Sequence, residues 1–68
     1  MNVTIAVDSQ PGADDSRDPR HRAEVYPSDR PEAEPLMVTG WNFSAGAAKQ
    51  HAFQWARMNG HIVDNPPY

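Results

Sequence analysis

The chain has 68 residues, no cysteine and a formal net charge of −3 at pH 7. This length allows one domain, which would bury only about 60% of the surface that its unfolded chain exposes. The lack of cysteine excludes disulfides and thiolate metal sites. The negative net charge disfavours nucleic acid as a main partner, because that role needs a basic face. Self-association or a partner is therefore the expected source of extra stability.

The first predicted element is a strand over residues 3–7, where Val3, Ile5 and Val7 alternate with small or polar residues. Residues 9–20 contain no hydrophobic side chain larger than alanine, so they are predicted to form a polar loop. The apolar run is too short for a signal peptide or a membrane span, and no basic residue precedes it. These features predict a cytoplasmic protein without a membrane partner.

A second strand is predicted over residues 21–26, with Ala23 and Val25 on one face. The other face would carry Arg22, Glu24 and Tyr26. A proline-rich connection over residues 27–35 follows, and its three prolines prevent a long helix.

The third predicted strand, residues 36–41, is the most apolar stretch of the chain and is typical of a central strand. Gly40 interrupts the run and marks a bulge or a close backbone approach. By alternation, one side of this strand would carry Met37, Thr39 and Trp41, and the opposite side Leu36 and Val38.

A helix is predicted over residues 45–59, between the N-cap residue Ser44 and the C-cap glycine Gly60. One side of this helix is built mostly from alanine. Its members are Ala45, Ala48, Ala52, Trp55 and Ala56. Phe53 projects about 100° away from the centre of this side, so it is predicted to lie outside the core.

A short last strand over residues 61–64 and an extended tail over residues 65–68 complete the chain. The predicted fold is α+β: a small three- to four-stranded sheet with one helix on one face, in the order β-β-β-α-β. Strands three and four are expected to pair, in a parallel or mixed arrangement. Because one helix covers only one sheet face, the second face is left bare or is covered by loops or another molecule.

Sites with catalytic or metal-binding chemistry are not indicated. The three histidines, His21, His51 and His61, lack the spacing of a metal pair, and Asp14, Asp15 and Asp18 lack that of a calcium loop. There is no G-x-S-x-G elbow and no glycine-rich phosphate loop. The sequence therefore predicts a protein that is not an enzyme and takes no cofactor or metal.

Two resemblances accompany these patterns. Residues 37–63 (MVTGWNFSAGAAKQHAFQWARMNGHIV) resemble the second half of SPOR-type peptidoglycan-binding domains, which carry a strand-helix-strand unit twice. The first half departs from that pattern, because Pro11, Pro19 and the aspartates leave no room for a first helix, and the likeness is interpreted as a coincidence of a common unit. The excess of arginine over lysine resembles small uncharacterised accessory proteins of actinobacteria and their phages, which often act by binding one protein.

The leading functional hypothesis is a non-catalytic protein-binding module, an adaptor or inhibitor that acts through exposed apolar and aromatic residues. The predicted contact residues are Met37, Thr39, Trp41 and Phe53. Homodimerisation through the same face is a related possibility.

Two alternatives stay open. One is a nucleic-acid accessory protein that uses Arg17, Arg20, Arg22, Tyr26 and Arg30. The other is a structural or assembly component that forms homo-oligomers.

Overall fold

The computed structural model describes residues 1–10 and 20–66, which form a four-stranded mixed sheet with one helix packed against it. In chain order the elements are β1 (Asn2–Ser9), β2 (His21–Pro27), β3 (Met37–Val38), α1 (Ala45–Met58) and β4 (Ile62–Val63). The predicted class and element order are confirmed. Residues 11–19 of the predicted polar loop and residues 67–68 of the predicted tail lie outside the described residues.

The sheet has the strand order β3-β2-β1-β4. β1 and β2 form its centre as a long antiparallel pair, from Val3 opposite Pro27 to Ser9 opposite His21. β3 joins β2 antiparallel, and β4 joins β1 parallel. The expected pairing of strands three and four is therefore wrong: the connection through α1 crosses both central strands and places β3 and β4 at opposite edges.

The apolar run after residue 35 is an edge strand, not the predicted central one. Val38 lies opposite Glu24, but the next bridge towards the helix pairs Asn42 with His21, so this strand has one residue more than β2 over the same stretch. Such an extra residue is a β-bulge, and it ends the regular ladder after two residues. Gly40 lies within this bulge, as its sequence position indicated.

The helix α1 begins at the predicted residue, Ala45, and ends at Met58, one residue before the predicted end. The Ser44 side chain accepts a hydrogen bond from the Ala47 amide at 3.1 Å, which satisfies a free N–H of the first turn. After α1, Gly60 has a φ of 77°, the left-handed conformation that glycine adopts at low cost. The cap residues therefore fix both ends of α1.

The core lies between α1 and the inner face of β1 and β2. Its members are Val3, Ile5, Ala23, Val25, Ala48, Ala52, Phe53 and Ala56. Met37, Trp55 and Val63 pack against it and are only partly buried. The alternation predicted for the first two strands is confirmed, since Val3, Ile5, Ala23 and Val25 all face the helix.

The predicted placement of Phe53 outside the core is wrong, since this side chain is only 9% exposed. Ala48, Ala52 and Ala56 are fully buried, and their methyl groups fill little of the space between helix and sheet. A ring at the flank of the alanine stripe can therefore reach inwards, and Phe53 does so. Trp55, at the other flank, is the less buried of the two aromatic residues.

Asn65 is attached to the sheet by its side chain. Its amide oxygen accepts from the Ile5 N–H at 2.9 Å, and its amide nitrogen donates to the Ile5 carbonyl at 2.7 Å. The side chain thus takes the place of a backbone peptide group beside β1, directly after β4. The beginning of the predicted extended tail is held in place by these two bonds.

Candidate binding surface

The two faces of the sheet differ in what covers them. α1 packs over β1, β2 and β4 on one face. On the other face, no helix or strand of the described residues packs against the sheet. We call it the open face, and its strand side chains include Thr4, Asp8, Arg22, Glu24 and Tyr26.

Most polar groups of the open face are paired with each other. Arg22 contacts the Asp8 carboxylate through Nη2 at 3.1 Å and Nε at 3.2 Å. The Tyr26 hydroxyl donates to Glu24, and this hydrogen bond is the main cause that raises the pKa of Tyr26 above its usual value of 10.0. The centre of the open face is thus polar and internally satisfied, so apolar contacts have to come from its β3 side.

The bulge places Trp41 on the open face. The ring lies under the Arg22 guanidinium, whose carbon is 4.8 Å from the ring centroid, a cation–π contact. Thr39 is used internally: its hydroxyl accepts from the Ala23 amide at 2.9 Å and donates to the Gly40 carbonyl. Without the extra residue, the alternation of the strand would place Trp41 on the helix side with Met37.

Phe43 is displayed to solvent by a backbone that is fixed on both sides. Asn42 before it donates to the His21 carbonyl at 2.6 Å and accepts from the His21 amide at 3.0 Å. Ser44 after it is the N-cap of α1. The Phe43 side chain is nevertheless 73% exposed, so it does not form the hydrophobic staple that a residue at this position often makes.

Leu36 and Val38 extend this apolar surface along the edge of the sheet, with exposures of 42% and 41%. We call Leu36, Val38, Trp41 and Phe43 together the β3 surface. Residues 36–43 contain no charged side chain, although 22% of the whole chain is charged. Natural edge strands are commonly protected by short length, bulges, lysine, proline or an inward charge. β3 is short and ends in a bulge, but the β3 surface carries no charge.

The four predicted contact residues are thus distributed over different environments. Trp41 is on the surface, Met37 packs against the core, Thr39 bonds to neighbouring backbone, and Phe53 is buried. The predicted grouping of Met37, Thr39 and Trp41 on one side is wrong, because the bulge changes the alternation before Trp41.

Sequence reasoning missed three members of the β3 surface. Leu36 and Val38 could have been found from their alternation with Met37, once Met37 was assigned to the core. Phe43 stands directly before a strong N-cap residue, and this position neither requires nor excludes burial. Its exposure therefore had no clear signal in the sequence.

The residues of the nucleic-acid alternative that the structure describes do not form a free basic face. Arg22 and Tyr26 share the open face with the carboxylates that bind them. Arg20 donates to the Gln10 side chain at 3.3 Å, and Arg30 lies exposed in the 27–35 connection. Arg17 lies outside the described residues.

The described part of the chain shows no cluster of metal-ligating side chains and no membrane-spanning helix. No group of three or more metal-ligating side chains comes together among these residues. A shallow depression at the far end of the sheet from Phe43 is lined by Met1, Asn2, Ser28, Asp29 and Asp64. Of the helices within residues 1–10 and 20–66, none has the length and apolar character needed to cross a membrane.

Comparison of the chain with models of protein families, with curated proteins and with solved structures found no significant match. The geometry of the β3 surface is therefore the basis for a functional assignment.

Proposed function

We propose that this protein is a non-catalytic protein-binding module, an adaptor or inhibitor, and that the β3 surface is its contact. The observation that carries the proposal is Phe43, an exposed aromatic side chain on a fixed backbone. Exposed aromatic residues that are held rigid lose little conformational entropy on binding, and aromatic residues are enriched at interface hot spots.

The surroundings of Phe43 support the same interpretation. Trp41 is held over the open face by Arg22, so a second ring is presented near the same edge. Leu36 and Val38 add aliphatic surface without a charge that would have to be desolvated. A partner surface with an apolar pocket and a polar rim would match this composition.

The nucleic-acid alternative is less well supported, because Arg22 is neutralised by Asp8 and Tyr26 is bonded to Glu24. It predicts binding whose affinity falls steeply with salt. The assembly alternative needs contacts between copies of the chain, which the β3 surface could also supply.

The test is affinity capture from a lysate of the source cells with tagged wild-type protein, Phe43→Ser and Met58→Ser. Met58 is 86% exposed at the C-terminal end of α1, so Met58→Ser removes an equally accessible apolar side chain away from the β3 surface. We expect a protein that is retained by wild type and Met58→Ser and lost with Phe43→Ser. Capture of the same proteins by all three variants would overturn the proposal, provided that circular dichroism shows all three to be folded.

A further inference from the structure

We infer that the partner at the β3 surface is a second copy of this chain, paired edge to edge with β3 antiparallel to its counterpart. This inference rests on the proposed function, since it names the occupant of the same surface. Its result would be one eight-stranded sheet about a two-fold axis, with one helix from each copy on the same side of the sheet.

The backbone of β3 is free to make such a pair. The Thr39 amide donates inwards to the Ala23 carbonyl at 2.8 Å. Because backbone groups alternate in direction along a strand, Val38 directs its own N–H and C=O outwards. β3 has no outer neighbour within the described residues. Two copies of Val38 placed opposite each other would exchange two hydrogen bonds across the two-fold axis.

The side chains of the same edge are self-complementary in this register. With Val38 opposite its counterpart, Leu36 of one copy would approach the bulge at Gly40 of the other. Apart from Gly40 itself and its chain neighbours Thr39 and Trp41, no described heavy atom lies within 4 Å of the position that a Cβ on Gly40 would occupy. The half-exposed Leu36 side chain thus meets an open space, and the two-fold axis creates this contact twice.

Charge and area also favour a second copy. The whole chain carries −3, but residues 36–43 carry no charge, so this edge brings no like charges together. Trp41 and Phe43 at their observed exposures offer on the order of 200 Å² per copy, since an aromatic side chain buries about 150–250 Å². If a second copy buried all of this area together with Leu36, Val38 and the strand backbone, the apolar area would approach the roughly 450 Å² that is the non-polar share of a standard interface side.

The small core gives a reason for the pairing. Four of its eight members are alanines, and the chain has no disulfide. Domains of this size commonly gain stability from oligomerisation when disulfides and metals are missing. Pairing at β3 would also shield Met37, which the helix leaves partly exposed.

The closing experiment compares two glycine variants by sedimentation equilibrium between about 1 µM and about 1 mM, a range that brackets weak and moderate dimers. Gly40→Glu puts a carboxylate into the proposed contact without a clash inside one copy. Gly46→Glu adds the same charge in the exposed first turn of α1. Apart from the chain neighbours and the helix backbone, the atom near its Cβ position is the Ser44 Oγ, at 4.0 Å. We expect a wild-type dimer, at least about tenfold weakening by Gly40→Glu, and a change within about twofold for Gly46→Glu.

A second variant tests the register. Val38→Cys introduces the only thiol of the chain, and hydrogen-bonded antiparallel partners have Cα atoms about 5.5 Å apart, within disulfide range. Under mild oxidation by oxidised glutathione, Val38→Cys should form a covalent dimer much faster than Met58→Cys.

Three results would each overturn the inference. They are a wild-type protein that is monomeric at all concentrations, equal weakening of the dimer by both glutamate variants, and equal cross-linking of both cysteine variants. A monomeric protein that still loses a captured partner with Phe43→Ser would leave the proposed function standing.

Discussion

The guanidinium carbon of Arg22 lies 4.8 Å from the centroid of the Trp41 ring. Two nitrogens of the same guanidinium, Nη2 and Nε, contact the Asp8 carboxylate. These three residues come from three different segments, β1, β2 and the bulge after β3. The charge pair between the central strands therefore also orients an aromatic ring of the β3 surface. A change in the Asp8–Arg22 ion pair should therefore also change the position of Trp41 in the proposed binding surface.

Replacing Arg22 should release the Trp41 ring. In a Trp55→Phe background, so that Trp41 is the only tryptophan, Arg22→Met should shift the emission maximum to longer wavelength, because water reaches the ring. The free energy of unfolding should fall by less than about 1 kcal/mol, since the Asp8 and Arg22 side chains are about 40% exposed and their interaction is screened by solvent. Urea unfolding and fluorescence measure both quantities, and an unchanged emission maximum would contradict the proposed contact.

Enlarging the alanine stripe should destabilise the domain. Ala52 is fully buried between α1 and the sheet, so Ala52→Leu should lower the free energy of unfolding by about 1–3 kcal/mol through overpacking. The matched control is Gln54→Leu, which adds a similar apolar side chain on the exposed side of the same helix and should change stability within about 0.5 kcal/mol. Equal effects in thermal unfolding would show that the helix does not approach the sheet closely at Ala52.

Removing the Asn65 side chain should destabilise β1. Asn65→Ala leaves the Ile5 N–H and carbonyl without their partner, which should cost about 1–3 kcal/mol of stability. Asn59→Ala removes one exposed hydrogen bond to the Trp55 carbonyl and should cost less. Hydrogen exchange of the Ile5 amide provides a direct measurement, and unchanged protection in Asn65→Ala would argue against the two-bond attachment.

The Tyr26 hydroxyl should titrate at higher pH than an ordinary tyrosine. Its hydrogen bond to Glu24 favours the protonated phenol, with smaller contributions from desolvation and from the negative charge of Glu24, so the folded-state pKa lies above 10.0. The stability from this contact is fully present below the unfolded pKa and is lost as pH rises through the folded pKa. Absorbance titration in a Tyr68→Phe background should show the raised pKa, and Glu24→Gln should lower it. The same titration curve for both proteins would exclude the Glu24 contact.

The long periodic elements could be predicted from the sequence. The alternation around Val3 and Val25 and the cap residues Ser44 and Gly60 act locally, and the structure confirms β1, β2 and α1 close to the predicted bounds. The strand order could not be predicted in this way. Pairing of β4 with β1 involves residues about sixty positions apart, and no local pattern specifies it.

The proposed binding surface was harder to predict than the fold, for two physical reasons. One extra residue near Gly40 reverses the alternation of the third strand, so Trp41 and Met37 end on opposite faces. The burial of Phe53 depends on the gap that short alanine side chains leave beneath the helix, which is a tertiary property. Asn65 gave no signal, because an asparagine after a strand is also typical of an ordinary turn.

The alanine-rich core has a further consequence for the uniqueness of the folded state. Four of its eight members have no side-chain rotamer to restrict, so ordering them costs almost no side-chain entropy. They also have no alternative conformation in which to repack, and Val3, Ile5 and Val25 are stiff at χ1. A core with so few internal degrees of freedom should give one sharply defined native packing instead of a set of interconverting ones, although the total area that it buries is small.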